Sequence, residues 1–325
     1  MKANLSAESI KKKHIILESV YFKKVMKQKS LLLALVPACA AVLVFQYFPI
    51  YGIIAAFQDF DIIDGYLGSP FVGLKHFKMI FMNTLNLKPG FWEVFFKTLN
   101  ITIFRLFAET IAAISFALML NELRAIRFKR IVQTVSYLPH FFSWVIISGI
   151  VYRFLDFEGP LNALLKLFFN IEPIHFMARS EYFVAIFIAC SIWKELGFSS
   201  IVYLAALSSI DPQLYEAGTV DGAGRWKLMW NITIPAIVPT IVTLFILNVG
   251  GLVNVGFDAI YSLQNDLIRS DTHVLDTYIY NIGLQQGNYS FGIAAGLFQG
   301  LISMVLVFGT NYFSQKISDI GIYKA

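Results

Sequence analysis

The residues of this sequence best placed to do chemistry are charges stranded in apolar surroundings. Arg105 and Glu109 interrupt one long hydrophobic run, and Lys194 and Glu195 interrupt another. Ionisable groups in such runs are costly and tend to line a bundle interior or a watery cavity. Arg105 and Glu109 stand four apart, so they share a helix face and can pair. The competing role for them is contact with a polar solute. Lys194 and Glu195 are adjacent and point in different directions. Lys194 suits either a helix-packing salt bridge or the attraction of an acidic solute. Other chemistry finds no support. The phosphate-cradling pattern GxxxxGK[ST] is absent, and no Gly-Lys pair occurs in the chain. His14, His76, His140, His175 and His273 are scattered, without metal-ligand spacing. Ser199 and Ser200 lack an adjacent His. Asp59, Asp61 and Asp64 read as a solvated turn in preference to a calcium site. Cys39 and Cys190 lie in apolar runs and suggest neither a disulfide scaffold nor a metal site.

The elements that position these charges follow from composition. Of 325 residues, 57% are hydrophobic and only 14% charged, with a mean hydropathy of +0.64. An ordinary soluble domain carries about 25% charge. Six apolar segments are long enough to span a bilayer, which takes about 20 helical residues. They run roughly over 31–57, 94–120, 131–155, 182–204, 236–257 and 291–313. The first is too long, and its preceding arm too long and basic, for a cleaved signal peptide. The stretch 161–169 is apolar but short and reads as an interfacial helix.

Basic residues fix the orientation. Sixteen lie before the first segment, between the second and third, between the fourth and fifth, and in the tail; six lie in the opposite loops. The positive-inside rule therefore places both termini in the cytoplasm. The outward segments 58–93, 156–181 and 258–290 hold 12 acidic residues. The net charge of +5 is thus explained by topology, and no nucleic-acid partner is needed. The expected fold is an all-α polytopic membrane protein with six transmembrane helices. Residues 1–30 form a cytoplasmic arm, 31–313 one membrane domain with an inward loop at 205–236, and 314–325 a cytoplasmic tail.

That inward loop has a readable grammar. Asp211 can cap a helix whose first residue is Pro212. The helix should run to about Val220 and break at Asp221-Gly222. A second short helix from Arg225 to about Ile232 spaces Trp226, Met229 and Trp230 helically. Pro235 and Pro239 mark entry to the fifth span. Such a segment either lies on the inner leaflet or presents a short helix to a cytoplasmic partner.

The loop resembles that of the integral membrane subunits of binding-protein-dependent ATP-binding-cassette importers. The match is carried by Tyr215-Glu216-Ala217-Gly218, then Asp221-Gly222-Ala223, then Ile232-Thr233-Ile234-Pro235. The sugar-importing branch has Ala where this chain has Gly218. Trp193-Lys194-Glu195-Leu196-Gly197-Phe198, Phe71-Val72-Gly73-Leu74-Lys75-His76-Phe77 and Ser136-Tyr137-Leu138-Pro139 resemble further family stretches. From about Lys29 the whole chain resembles permeases for complex sugars, including pectin- and alginate-derived oligosaccharides.

The resemblance implies a type I importer permease in the bacterial cytoplasmic membrane, forming half of a path for an oligosaccharide. It implies a second, different permease subunit, two cytoplasmic ATPase subunits and an extracellular solute-binding protein. ATP and Mg belong to the ATPases, with no cofactor held by this chain. Tyr215, Glu216, Ala217, Gly218, Asp221, Gly222 and Ala223 become the ATPase-coupling residues, with small Ala217 and Gly218 admitting the partner's backbone. Candidates for the sugar path are Arg105, Glu109, Lys194, Phe245, Asn248, Asn254, Phe257, Asp258 and Tyr261. The aromatic rings offer stacking surfaces. Asn248 and Asn254, six apart on the fifth helix, would sit about 120° from alignment. The alternative function is an ion-coupled secondary transporter acting alone.

Overall fold

The computed structural model describes residues 29–82 and 88–318. The arm as far as residue 28, and the tail from residue 319, lie outside the described residues. Among those described, five helices are long and apolar enough to cross a membrane, or six when one bent pair counts as a single span. We number the helices used here in chain order. They are α1 (Leu32–Phe57), α2 (Lys75–Met82), α3 (Phe91–Glu122), α4 (Ile126–Phe141), α5 (Trp144–Phe154), α6 (Pro160–Phe169), α7 (Ser180–Ser208), α8 (Pro212–Val220), α9 (Arg225–Val249), α10 (Phe257–Leu263), α11 (Leu275–Tyr280) and α12 (Tyr289–Lys316).

The chain divides into two compact units. One holds α1 as far as Ala55 and the segment Asp61–Ser69. In it, Leu33, Phe45 and Phe48 are exposed, as suits side chains that meet lipid. The turn Asp61–Ser69 is closed by Ser69 Oγ, which accepts from Asp61 N and donates to Gly65 O.

The other unit comprises Ala56–Phe60 and the chain from Pro70 onward. Its central contact is between α3 and α7. At the inner end Ala113, Ala117 and Leu120 of α3 meet Tyr203 and Leu207 of α7 and Ile237 of α9. Further along, Ile101 of α3 and Phe183 and Phe187 of α7 close over Ala259, Ile260 and Leu263 of α10. At the start of α3, Phe91, Val94 and Phe95 pack with Ile80 of α2, Tyr278 of α11 and Phe291 of α12. Small residues let the backbones approach, which is the usual means of helix association in lipid.

Three segments differ from expectation. The third span begins at Ile126 and is not straight: α4 and α5 meet at 104°. Pro139 cannot donate to a helical ladder, and Ser143 starts α5 by accepting from Ile146 N at 3.3 Å. The freed carbonyls of His140 and Phe142 accept from Lys194 Nζ on α7 at 2.5 and 2.9 Å. The fifth span starts at Arg225, eleven residues before the expected Ala236, and ends at Val249, short of Phe257. A π turn at Met229–Thr233 allows this early start. Ile234 N donates to Met229 O, five residues back, so the ladder widens just ahead of Pro235. The expected second short helix and the fifth span are therefore one helix. The inward loop shrinks from 205–236 to 209–224. A short apolar helix is present over the expected stretch, as α6.

Two interactions hold this unit at identifiable places. Gly197 of α7 passes so close to α4 that a Cβ would stand 2.2 Å from Ser136 O. Outside the spans, Asp59 accepts from Lys75 Nζ at 2.6 Å, and its Oδ1 lies 3.1 Å from His76 Nε2. Lys75 holds the Asp59 carboxyl below its usual range. Burial pushes the His76 imidazole down, against the pull of Asp59.

Gly197→Ala should lower stability by about 1–3 kcal/mol, the usual overpacking cost, read as an earlier melting transition in detergent. Because folded His76 titrates below 6.5, the native state binds fewer protons than the unfolded chain between that lowered value and 6.5. Its contribution to stability is present above pH 6.5 and is lost as pH falls through the lowered value. Asp59 acts in the same sense below 3.8. Melting temperature should fall on acidification from pH 6.5, and His76→Gln should flatten that part of the profile.

Candidate functional site

After Val249 the backbone leaves the helix, and residues 250–256 run irregularly, with Gly256 at φ +99°. Unpaired backbone groups at membrane depth are tolerated only where protein or a water-filled cavity meets them. Here side chains from three helices take them. Thr102 Oγ1 donates to Leu252 O at 2.5 Å and Arg105 Nη1 to Val255 O at 2.6 Å, both from α3. Gln299 Nε2 of α12 donates to Val253 O at 2.6 Å. Asp276 Oδ2 of α11 accepts from Val255 N and Gly256 N at 2.9 and 3.2 Å. Its other oxygen accepts from Gln299 at 2.8 Å.

Beside this segment lie two neighbouring cavities. One, of about 150 Å³, is lined by Thr102, Arg105, Glu109, Asn248 and Gly251 among others. The second, of about 390 Å³, shares Glu109 and Asn248 and adds Thr110, Glu195, Ser199 and Tyr203. Glu109 accepts from Ser191 Oγ at 2.5 Å. Glu195 Oε2 lies 2.8 Å from His140 Nδ1, and that imidazole stacks on Phe198 at 3.8 Å. The walls thus carry an amide, hydroxyls, a guanidinium and carboxylates, groups that can meet a polar solute.

The structure brings together Arg105, Glu109 and Asn248. The pair on α3 is a loose one, with Arg105 Nε 3.9 Å from Glu109 Oε1, since each has a closer partner. Asn254 and Asp258 do not lie on the fifth span, so the angle reckoned between Asn248 and Asn254 does not apply. Asn254 Oδ1 instead accepts from Gly256 N in its own turn. Phe257 and Tyr261 stack on each other and against Tyr280, apart from these cavities. Phe245 pairs with Phe107. Lys194 is 8% exposed and bound to the two carbonyls of the bent span. Its closest partners are carbonyls, with Glu195 Oε1 only at 3.9 Å. Thr102, Ser191, Asp276 and Gln299 went unnoticed in the sequence. They are ordinary polar residues, and only the broken helix they serve marks them.

The inward helix α8 follows its sequence signals. Asp211 Oδ1 accepts from Gln213 N at 2.9 Å, and Pro212 opens the helix. Gly222 ends it at φ +75°. Glu216, Ala217, Asp221 and Gly222 are exposed. Ala223 N donates to Gly218 O at 2.9 Å. Gly218 does not offer room to a partner. A Cβ there would lie 2.6 Å from Leu228 Cδ2 of the same chain. Nothing lies within 4 Å of a Cβ at Gly222, so backbone conformation and not crowding makes that glycine necessary. Among the described residues, no group of three or more His, Cys, Asp or Glu is placed to hold a metal ion. Cys39 and Cys190 are free thiols.

Comparison with known proteins follows the same outline. Residues 109–319 match the family described as binding-protein-dependent transport system inner membrane component. The polygalacturonan/rhamnogalacturonan transport system permease protein YteP of Bacillus subtilis (strain 168) is 42% identical over 92% of this chain and 92% of its own. Protein LplB of the same organism is 39% identical over 91% of this chain and 92% of its own. A chain in the crystal structure of a bacterial alginate ABC transporter, in complex with an alginate pentasaccharide-bound periplasmic protein, superposes with a TM-score of 0.81. It is 36% identical, over 92% of this chain and 99% of that one.

Arg105→Met would leave the Val255 carbonyl without its donor, at about 1–3 kcal/mol. The expected result is a lower melting temperature in detergent, with Arg105→Lys keeping part of the difference.

Proposed function

This chain belongs to the family of binding-protein-dependent transport system inner membrane components, and on that premise we propose that it imports acidic oligosaccharides. It is a non-catalytic, multi-pass permease subunit of the bacterial inner membrane. It forms part of the translocation path of an ATP-binding-cassette importer of the sugar and oligosaccharide branch. The observation that carries the substrate class is the match, over nearly the full length of both chains, to a permease from a transporter of the acidic polysaccharide alginate. The polygalacturonan relative agrees with it.

In this reading an extracellular binding protein delivers the sugar to the outward segments. The cavities at Arg105, Glu109 and Asn248 form this chain's share of the path, completed by a second, different permease. Arg105 and Asn248 supply donors to carboxylate and hydroxyl oxygens. Two cytoplasmic ATPases hold ATP and Mg and receive α8, with Glu216 and Ala217 on its exposed side. Closure of the ATPases on ATP drives the bundle between outward- and inward-open states, a two-state element biased by differential contacts. Residues 1–30 and 314–325 serve as cytoplasmic arm and tail. An ion-coupled carrier working alone would leave the exposed α8 without a purpose.

Uptake by the assembled complex in proteoliposomes tests the substrate. Labelled oligogalacturonates or alginate oligosaccharides should enter in an ATP-dependent manner. Import of amino acids or phosphate, with no sugar, would end this reading. Gly222→Asp places a side chain at positive φ, a conformation that glycine adopts freely, and should lower ATP-dependent uptake. Glu216→Ala should weaken retention of the ATPase during purification. Normal retention, ATPase rate and uptake in both variants would reduce α8 to a membrane-surface element.

A further inference from the structure

The short connection from α8 to α9 poses a mechanical problem. Only residues 221–224 join the two helices, and they include Gly222 and Gly224, with open space around both. Glycines in an open turn are conformationally free. A force on α8 would swing it about that turn and never reach the membrane, unless something else fastened it.

Three contacts supply the fastening. Tyr215 Oη of α8 and Thr233 Oγ1 of α9 are 3.0 Å apart and hydrogen-bonded. Gly218 sits against Leu228 and Ile232 with no gap, since a Cβ would come within 2.6 and 3.2 Å of their methyl groups. Ala223 N closes on Gly218 O. The π turn at Met229–Thr233 belongs to the same device. One extra residue in a turn advances the following side chains by about 100°. Thr233, the last residue of that turn, is 6% exposed with its hydroxyl directed at Tyr215. Beyond it α9 is wedged by Ile237, wholly buried among Ala113, Ala117 and Tyr203. It ends at Asn248 and Val249 beside the cavities. From Thr233 to Asn248 the helix covers about 22 Å.

We propose that α8 and α9 form one rigid lever. Tyr215, Thr233 and Gly218 lock the ATPase-facing helix onto the inner end of α9, so that a displacement of α8 reaches the cavity wall at Asn248 as motion of a single body. This rests on the reading of α8 as the ATPase contact, and adds that the α8–α9 joint does not flex during transport. Gly218, where the sugar branch resembled by this chain has Ala, then has a positive role: it lets the two helices close without a spacer. Tyr215, Gly218 and Thr233 are positioning residues and need not touch the sugar.

The experiment uses the full complex with its ATPases and loosens the joint. Thr233→Val, at a buried site out of reach of a partner, should leave the ATPase bound and hydrolysing while cutting sugar transported per ATP at least threefold. Thr233→Ser, which keeps the hydroxyl, should restore the ratio. Tyr215→Phe should lower it comparably, and the double variant no further, since both remove one bond. An unchanged ratio in Thr233→Val and Tyr215→Phe would refute the lever while leaving ATPase docking intact. Failure of the unaltered chain to retain an ATPase would instead overturn the docking reading, and the lever with it.

Discussion

A peptide group that leaves its helix inside a bilayer must find a partner in the protein, because lipid offers none. The structure turns on how this chain meets that demand at two breaks. At the first, between α4 and α5, the carbonyls of His140 and Phe142 are taken by one ammonium, that of Lys194. At the second, beyond α9, Thr102, Arg105 and Gln299 take the carbonyls of Leu252, Val255 and Val253, and Asp276 takes the amides of Val255 and Gly256. Lys194, Arg105 and Asp276 are therefore first of all backbone partners. Their cost is offset by hydrogen bonds to groups that would otherwise be unpaired and buried.

The breaks in turn make the cavities. A continuous fifth helix would have carried its side chains past α3 as one smooth ridge. Ending it at Val249 leaves Asn248 at the edge of a space whose other walls are Arg105, Glu109 and Glu195. The bend at Ser143 has a matching effect. It sets His140 against Glu195 and Phe198, which fixes one carboxylate at the cavity wall. Thr102 and Arg105, which keep backbone carbonyls satisfied, also line the smaller cavity that we propose as part of the sugar's path.

At the inner end the proposed function sets another need, the conversion of a soluble partner's movement into movement within lipid. Helix α8 is exposed and capped at both ends, so it keeps its shape without being buried. Its attachment to α9 depends on absent atoms as much as on present ones. Gly218 has no side chain to hold the helices apart, and Gly222 adopts a positive φ that residues with a Cβ resist.

Much of this was legible in the residues themselves. The spans of α1, α3, α7 and α12 follow from apolar length, since lipid imposes about 20 residues on any sequence. The bounds of α8 follow from Asp211, Pro212 and Gly222, because caps and positive-φ turns are local events decided by a few neighbouring atoms. The family was readable for a related reason: Tyr215–Ala223 sits in one short stretch. What the sequence by itself determined was thus whatever depends on composition or on contacts a few residues long. The partners of Lys194 and Arg105 lie 54, 52 and 150 positions away, and nothing local distinguishes a carbonyl from a carboxylate at that range. Whether Pro235 would open a helix or be absorbed behind a π turn, whether Asn254 lay on a helix or in a turn, and which way Gly218 faced were decided only by tertiary structure. Each depends on a group brought from another helix, and a chain in lipid resolves such choices by which arrangement pairs the backbone groups it frees.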